Sequence, residues 1–268
     1  MPIARLKNAE LYYEVHGEGE PLILIAGLSS DCQSWQFVIN DLSKQFKVII
    51  FDNRGIGRSS SVELPFTIKH MAGDINELLN YLNIEAAHIL GHSMGGFIAQ
   101  ELAINYPDRI YKLILEATAP FSSKRDNYLF ENMLLALEGG IDYDLWIRNF
   151  LFWIYTSNLL NNKRNIENLV QFVMENPYPQ SNKNFQQQVE AISNFNSTDR
   201  LYKVEAETLV LIGEEDILIK PKESELLYQG ISRATYPVYI EKAAHAIHNE
   251  NPKAFIHAII RFIYKYVR

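Results

Sequence analysis

Residues 91–95 read Gly-His-Ser-Met-Gly. They stand between a short continuous apolar run, AAHIL at 86–90, and a stretch with helical spacing, Gly96–Asn105. A buried strand passing directly into a helix needs a sharp turn, and glycines on both sides allow the two elements to approach closely. Glycine alone would make that turn, so the serine needs its own explanation. At the apex of a strand–turn–helix connection a side chain is held in a strained backbone conformation above the carboxyl ends of the strands. The helix N-terminus behind it adds partial positive charge where an oxyanion would form. Taken by itself, the motif also fits a glycine-rich turn with a helix-capping serine.

The rest of the chain supplies the setting. Ile3–Leu6 and Leu11–Val15 alternate as strands do, and the turn HGEGEP at 16–21 follows. PLILIAG from Pro21, KVIIFD at 47–52, AAHIL at 86–90 and residues 110–115 are short apolar runs expected of buried parallel strands. Helical patterns separate them, at Trp35–Leu42, at 69–82 and at Gly96–Asn105. From about Ala119 to Leu201 the alternation stops and the sequence becomes helical and aromatic; NNKRN at 161–165 reads as a loop within it. Strand patterns return at TLVLIG, 208–213, and TYPVYI, 235–240, and residues 252–266 form a closing amphipathic helix. This order predicts an α/β fold: a mostly parallel sheet, helices on both faces, and a helical insertion after the sixth strand. The core spans 1–118 and 202–268, and the insertion 119–201.

A serine hydroxyl is a weak nucleophile at neutral pH and needs a base, itself oriented by an acid. In this strand–turn–helix setting the order along the chain is Ser, acid, His. Asp216 follows the TLVLIG strand and His245 follows the next one, in YIEKAAHAIHNENP. Ser93 would attack a carbonyl carbon, His245 would carry the proton, and Asp216 would hold the imidazole. Glu214, Glu215 and Glu116 remain alternatives for the acid and His248 for the base, while His92 is expected to pack behind the serine. The oxyanion would be met by the backbone N–H of Met94 and by that of Leu28, after the PLILIAG strand; loss of one such donor costs on the order of 3 kcal/mol in barrier.

These residues carry a resemblance. AGLSSDCQSW from Ala26, DNRGIGRSS at 52–60, GHSMGG, GEED at 213–216 and AAHAIHNENP at 243–252 together resemble the α/β-hydrolase fold superfamily. The likeness is to its branch of small serine esterases and lactonases, including enol-lactonase-like and carboxylesterase-like members. It implies that 119–201 is a helical cap over the active site, and that Asp52 and Arg54 brace neighbouring turns. One departure is plain: the family usually has His-Gly before the oxyanion donor, and this chain has Ala26-Gly27.

The function expected is cleavage of a small carboxylic ester or lactone through an acyl-enzyme intermediate. Other chemistries open to the same triad are methyl-ester hydrolysis on a pimeloyl-type carrier, C–C bond hydrolysis and cofactor-free perhydrolysis. A small-molecule receptor on a hydrolase fold is the alternative from another class. Trp146 and Trp153 are candidate substrate-binding residues, and Lys124, Arg125, Lys163 and Arg164 are candidates for meeting an acidic acyl carrier protein. With a net charge of −7 and no basic clustering, nucleic acid is not an expected partner. No cofactor or metal is expected; His245 and His248 have helical i, i+3 spacing, but no third ligand stands at a recognisable spacing. A single cysteine, no apolar core near the N-terminus and no membrane-length apolar run point to the cytoplasm.

Overall fold

A computed structural model of the chain describes residues 2–60 and 65–264. Its strands are β1 (Ile3–Arg5), β2 (Glu10–His16), β3 (Glu20–Ile25), β4 (Phe46–Phe51), β5 (Ala87–His92), β6 (Ile110–Glu116), β7 (Glu207–Gly213) and β8 (Val238–Ile240). They form one sheet in the order β1-β2-β4-β3-β5-β6-β7-β8. β2 runs antiparallel to both β1 and β4, and every other pairing is parallel.

The helices of the core are α1 (Ile39–Leu42), α2 (Ile68–Tyr81) and α3 (Met94–Asn105). Between β6 and β7 come α4 (Lys124–Glu138), α5 (Tyr143–Ile154), α6 (Ser157–Leu160), α7 (Lys163–Met174) and α8 (Asn182–Ser193). The core resumes with α9 (Pro221–Gly230), α10 (Ile247–Glu250) and α11 (Pro252–Tyr264).

The continuous apolar strands are explained by burial on both faces. In β3, Ile23 and Ile25 join the core shared with α2, α3 and the inserted helices, through residues such as Ile75, Leu79 and Ile98. Leu22 and Leu24 point the other way, toward Leu42 of α1 and Phe255 and Ile259 of α11. Successive side chains of a strand alternate between faces, so a strand covered on both sides reads as unbroken hydrophobicity.

Several element boundaries differ from the sequence reading. The last strand begins at Val238 rather than Thr235: Pro237 has no N–H for the ladder, and the Thr235 N–H turns instead to the Thr208 carbonyl at 2.8 Å. Trp35–Leu42 is not one helix but a 3₁₀ turn over Cys32–Trp35 followed by the short α1. NNKRN is a loop only at its start, because the Asn162 side chain accepts the Arg164 N–H at 3.0 Å and caps α7 from Lys163 onward. β5 continues through Gly91 and His92, and α3 starts directly at Met94, leaving Ser93 alone at the turn. The closing helix is seen to Tyr264; residues 265–266 of the expected span lie outside the described residues. No helix among the described residues is long and apolar enough to cross a membrane.

Candidate active site

Ser93 has φ 55° and ψ −119°, a left-handed conformation that disfavours a side chain. The tightness of the turn explains its neighbours. A Cβ on Gly91 would collide with the Gly95 carbonyl, and one on Gly95 with the Ile25 carbonyl. The turn is fixed by backbone bonds on both sides of the serine. Its N–H donates to Glu116 O at 3.0 Å, and its carbonyl accepts from Gly96 N and from Thr118 Oγ1, both at 2.8 Å.

Asp216 and His245 meet across 29 residues of chain: Asp216 Oδ2 and His245 Nδ1 are 2.8 Å apart, and both residues are buried. The other Asp216 oxygen accepts the N–H groups of Leu218 and Ile219, each at 2.9 Å, which fixes the carboxylate plane. Glu214 and Glu215 are exposed beside it. His245 and Ser93 line one cavity of about 160 Å³. Among the described residues no hydrogen bond closes between the Ser93 hydroxyl and His245. Such contacts are often long before substrate binds and tighten in the complex.

The remaining acid and base candidates form a separate pair. Glu116 Oε1 lies 2.7 Å from His248 Nδ1 and also accepts the His248 N–H at 3.1 Å. His92 connects the two pairs: its ring is 4.9 Å from each of the other imidazoles, and its Nε2 is 3.0 Å from the His245 carbonyl, which only an N–H can use. Burial, followed by the nearby His248 and His245, holds the His92 pKa well below its ordinary value. It is therefore a neutral ring that donates from Nε2. The ligand-type atoms of His92, Glu116 and His248 lie within 4.8 Å of one another. A 2.7 Å Nδ1–Oε1 separation is that of a hydrogen bond, however; two ligands on one tetrahedral zinc sit roughly 3.3 Å apart.

Leu28 lines the cavity. Met94 is the first residue of α3, where helix geometry leaves the N–H without an intrahelical acceptor. Ala26 stands where the expected histidine is missing, yet the loop is held: Asn53 Nδ2 donates to Ala26 O at 3.1 Å, and the Ser29 N–H donates to Gln188 Oε1 of α8 at 3.2 Å. Asp52 takes the N–H of Cys32 at 2.9 Å and of Arg58 at 2.8 Å, while Arg54 grips Asp74 through two bonds.

Trp146 lines the cavity, with its indole N–H on Met133 O at 3.0 Å. Trp153 does not reach it; the ring packs on the core and lies under the Arg125 guanidinium. The rest of the cavity wall comes from Phe130, Ile147, Phe150, Leu151 and Tyr155 of the insertion and Leu218 of the core. Its sequence signal was the helical and aromatic character of the insertion, which did not single out Phe130, Ile147, Leu151 or Leu218. Burial pushes the Tyr155 hydroxyl up to about 12, so it remains a protonated donor and acceptor. Of the four basic residues weighed for an acyl carrier, Arg125 is tied to Asp126 and the Leu218 carbonyl, whereas Lys124, Lys163 and Arg164 are exposed.

The sequence pattern of the alpha/beta hydrolase fold family matches residues 20–252. This chain belongs to the α/β-hydrolase fold family. It is similar to "Putative carbamate hydrolase RutD" of Azorhizobium caulinodans, 30% identical over 267 residues that cover 98% of each chain. Among solved structures it resembles a thermophilic esterase from Thermogutta terrifontis, 26% identical with a TM-score of 0.87 and 99% of both chains covered. An enol-lactonase from Burkholderia xenovorans shares the fold at a TM-score of 0.87 and 24% identity, covering 98% of this chain and 100% of that one. The chain is thus a hydrolase of the α/β fold.

Proposed function

We propose that this hydrolase cleaves a small carboxylic ester or lactone by nucleophilic catalysis from Ser93, through an acyl-enzyme intermediate. The observation that carries the reading is the buried Asp216–His245 pair at 2.8 Å, opening on the same cavity as a serine held at φ 55°. The Ser93 oxygen attacks the carbonyl carbon as His245 Nε2 takes its proton. The tetrahedral oxyanion is held by the Leu28 N–H in the loop after β3 and by the Met94 N–H at the N-terminus of α3. Collapse expels the alcohol, which receives the proton from His245. Water, deprotonated by the same ring, then releases the acid. The Asp216 carboxylate holds the ring and stabilises the transient imidazolium.

The segment 119–201 acts as a cap in this reading, and its Trp146, Phe130 and Ile147 wall suits an apolar acyl group. A small-molecule substrate in the cytoplasm fits the same picture. The similarity to the RutD proteins favours a second substrate, a carbamate, whose carbonyl passes through the same tetrahedral geometry. The exposed Lys124, Lys163 and Arg164 leave room for an acidic carrier of the acyl chain. A panel of short p-nitrophenyl esters, lactones and carbamates tests the proposal. Turnover of at least one class, abolished in Ser93→Ala, is expected; turnover that persists in that variant would refute it.

A further inference from the structure

The loop that carries His245 is tied to the insertion by a set of bonds that the catalytic scheme does not use. Glu250, at the end of α10, reaches both ways. Its Oε1 accepts the Thr156 N–H at 2.9 Å and the Thr156 hydroxyl at 2.8 Å, just past the end of α5. Its Oε2 accepts the N–H of Ala244 at 2.7 Å, one residue before His245. The carbonyl of Ile154, the last residue of α5, accepts the N–H of His245 itself at 3.0 Å and that of Ala246 at 3.3 Å. Between them, Asn249 Nδ2 donates to the Tyr155 hydroxyl at 3.2 Å. Thr156 and Ala244 are buried, and Glu250 is a partly buried carboxylate using both oxygens on these donors.

We infer that Glu250 is a positioning residue: by clamping Thr156 of the insertion to Ala244, it makes the placement of the His245 ring depend on how the insertion is seated. The backbone of His245 is held entirely from outside its own loop. Its N–H goes to Ile154 of the insertion, and its carbonyl is met by His92 beside the serine. Its side chain goes to Asp216. A backbone so pinned orients the imidazole only while all the anchors hold. A further anchor stands one residue earlier, at Ala244, where three donors converge on the Glu250 carboxylate, and hydrogen bonds to an ionised acceptor are roughly twice as strong as neutral ones. Burial raises the Glu250 pKa, and the bonds from Ala244 and Thr156 oppose that rise. The arrangement makes the insertion part of the catalytic scaffold as well as a wall of the pocket.

This inference rests on the serine-hydrolase reading, but its test has a readout independent of turnover. Thr156→Val keeps the side-chain shape and removes one of the three donors, and Glu250→Gln leaves one oxygen to serve two sides. Each is expected to lower kcat on a p-nitrophenyl ester by about 10- to 100-fold with KM little changed, as small misplacements of a reacting group do. The double variant should be no worse than the more damaging single one, because both cut the same link. Thr156→Ser, which keeps the hydroxyl, should recover most of the loss. The proton NMR signal of His245 Nδ1–H, shared with Asp216, should shift or broaden in Thr156→Val whether or not a substrate is known. Should Glu250→Gln fail to fold, Thr156→Val carries the test alone. The inference is overturned if Thr156→Val lowers only the melting temperature, leaving kcat and the Nδ1–H signal of wild type. A wild type that turns over no ester would sink the serine reading instead, and the NMR comparison would still decide the role of Glu250.

Discussion

Glu116 Oε1 sits 2.7 Å from Nδ1 of His248, so the molecule holds two buried acid–imidazole pairs side by side, bridged by the ring of His92. Only one of these, Asp216–His245, belongs to the proposed chemistry. In Glu116, Oε2 is buried with no hydrogen-bond partner among the described residues, and a carboxylate oxygen left so is costly.

The two acids should therefore separate by phenotype. Asp216→Asn is expected to lower kcat by about 10,000-fold with little change in unfolding midpoint. Glu116→Ala, which leaves the His248 N–H groups unpaired in the core, should cost about 2–3 kcal/mol of stability and retain most of the activity at low temperature. Steady-state rates set beside urea unfolding curves check both. Equal catalytic losses would mean that the second pair takes part in the reaction.

Trp146 and Trp153 should also part ways. Trp146 forms the cavity wall, so Trp146→Leu is expected to raise KM for apolar acyl esters by about tenfold. Trp153 lies outside the cavity, so Trp153→Leu should weaken folding without altering KM. Chain-length profiles across a series of esters make the comparison.

Stability should fall as the medium becomes mildly acidic. The His92 and His88 pKa values are both held below 6.5 by burial in the fold. An unfolded chain binds protons at these sites first as pH falls, so stability is lost from about pH 7 down through the ordinary imidazole range. Asp31, Asp74 and Glu250 have raised pKa values, again through burial. They bind protons more readily folded than unfolded, so their contribution is complete below the ordinary carboxylate range and fades as pH rises from there through their raised folded values. Melting temperatures between about pH 7 and pH 5.5 should drop, and His88→Gln should flatten the slope. A flat profile in the wild type would contradict the assignment.

The fold was legible in the sequence wherever burial is complete. A strand covered on both faces has to be apolar throughout, as in PLILI of β3, and the glycines around Ser93 are forced by backbone approaches that no side chain survives. The position of Asp216 followed from the end of a recognisable strand. What the sequence hid was set by tertiary geometry. Glu116 and His248 are 132 residues apart, and nothing local says that they pair with each other rather than with Asp216 or His245. Glu250 gave no signal for the same reason, its partners lying on either side of it in different elements. Trp146 and Trp153 share one helix and one composition, and only the seating of α5 on the core decides which of them faces the cavity.

The central claim is that Ser93 is the nucleophile, and a fluorophosphonate probe followed by peptide mass mapping tests it most directly. Stoichiometric phosphonylation on Ser93 is predicted, slowed by orders of magnitude in His245→Ala. An active enzyme that carries no adduct on Ser93, or carries it on another residue, would contradict the account.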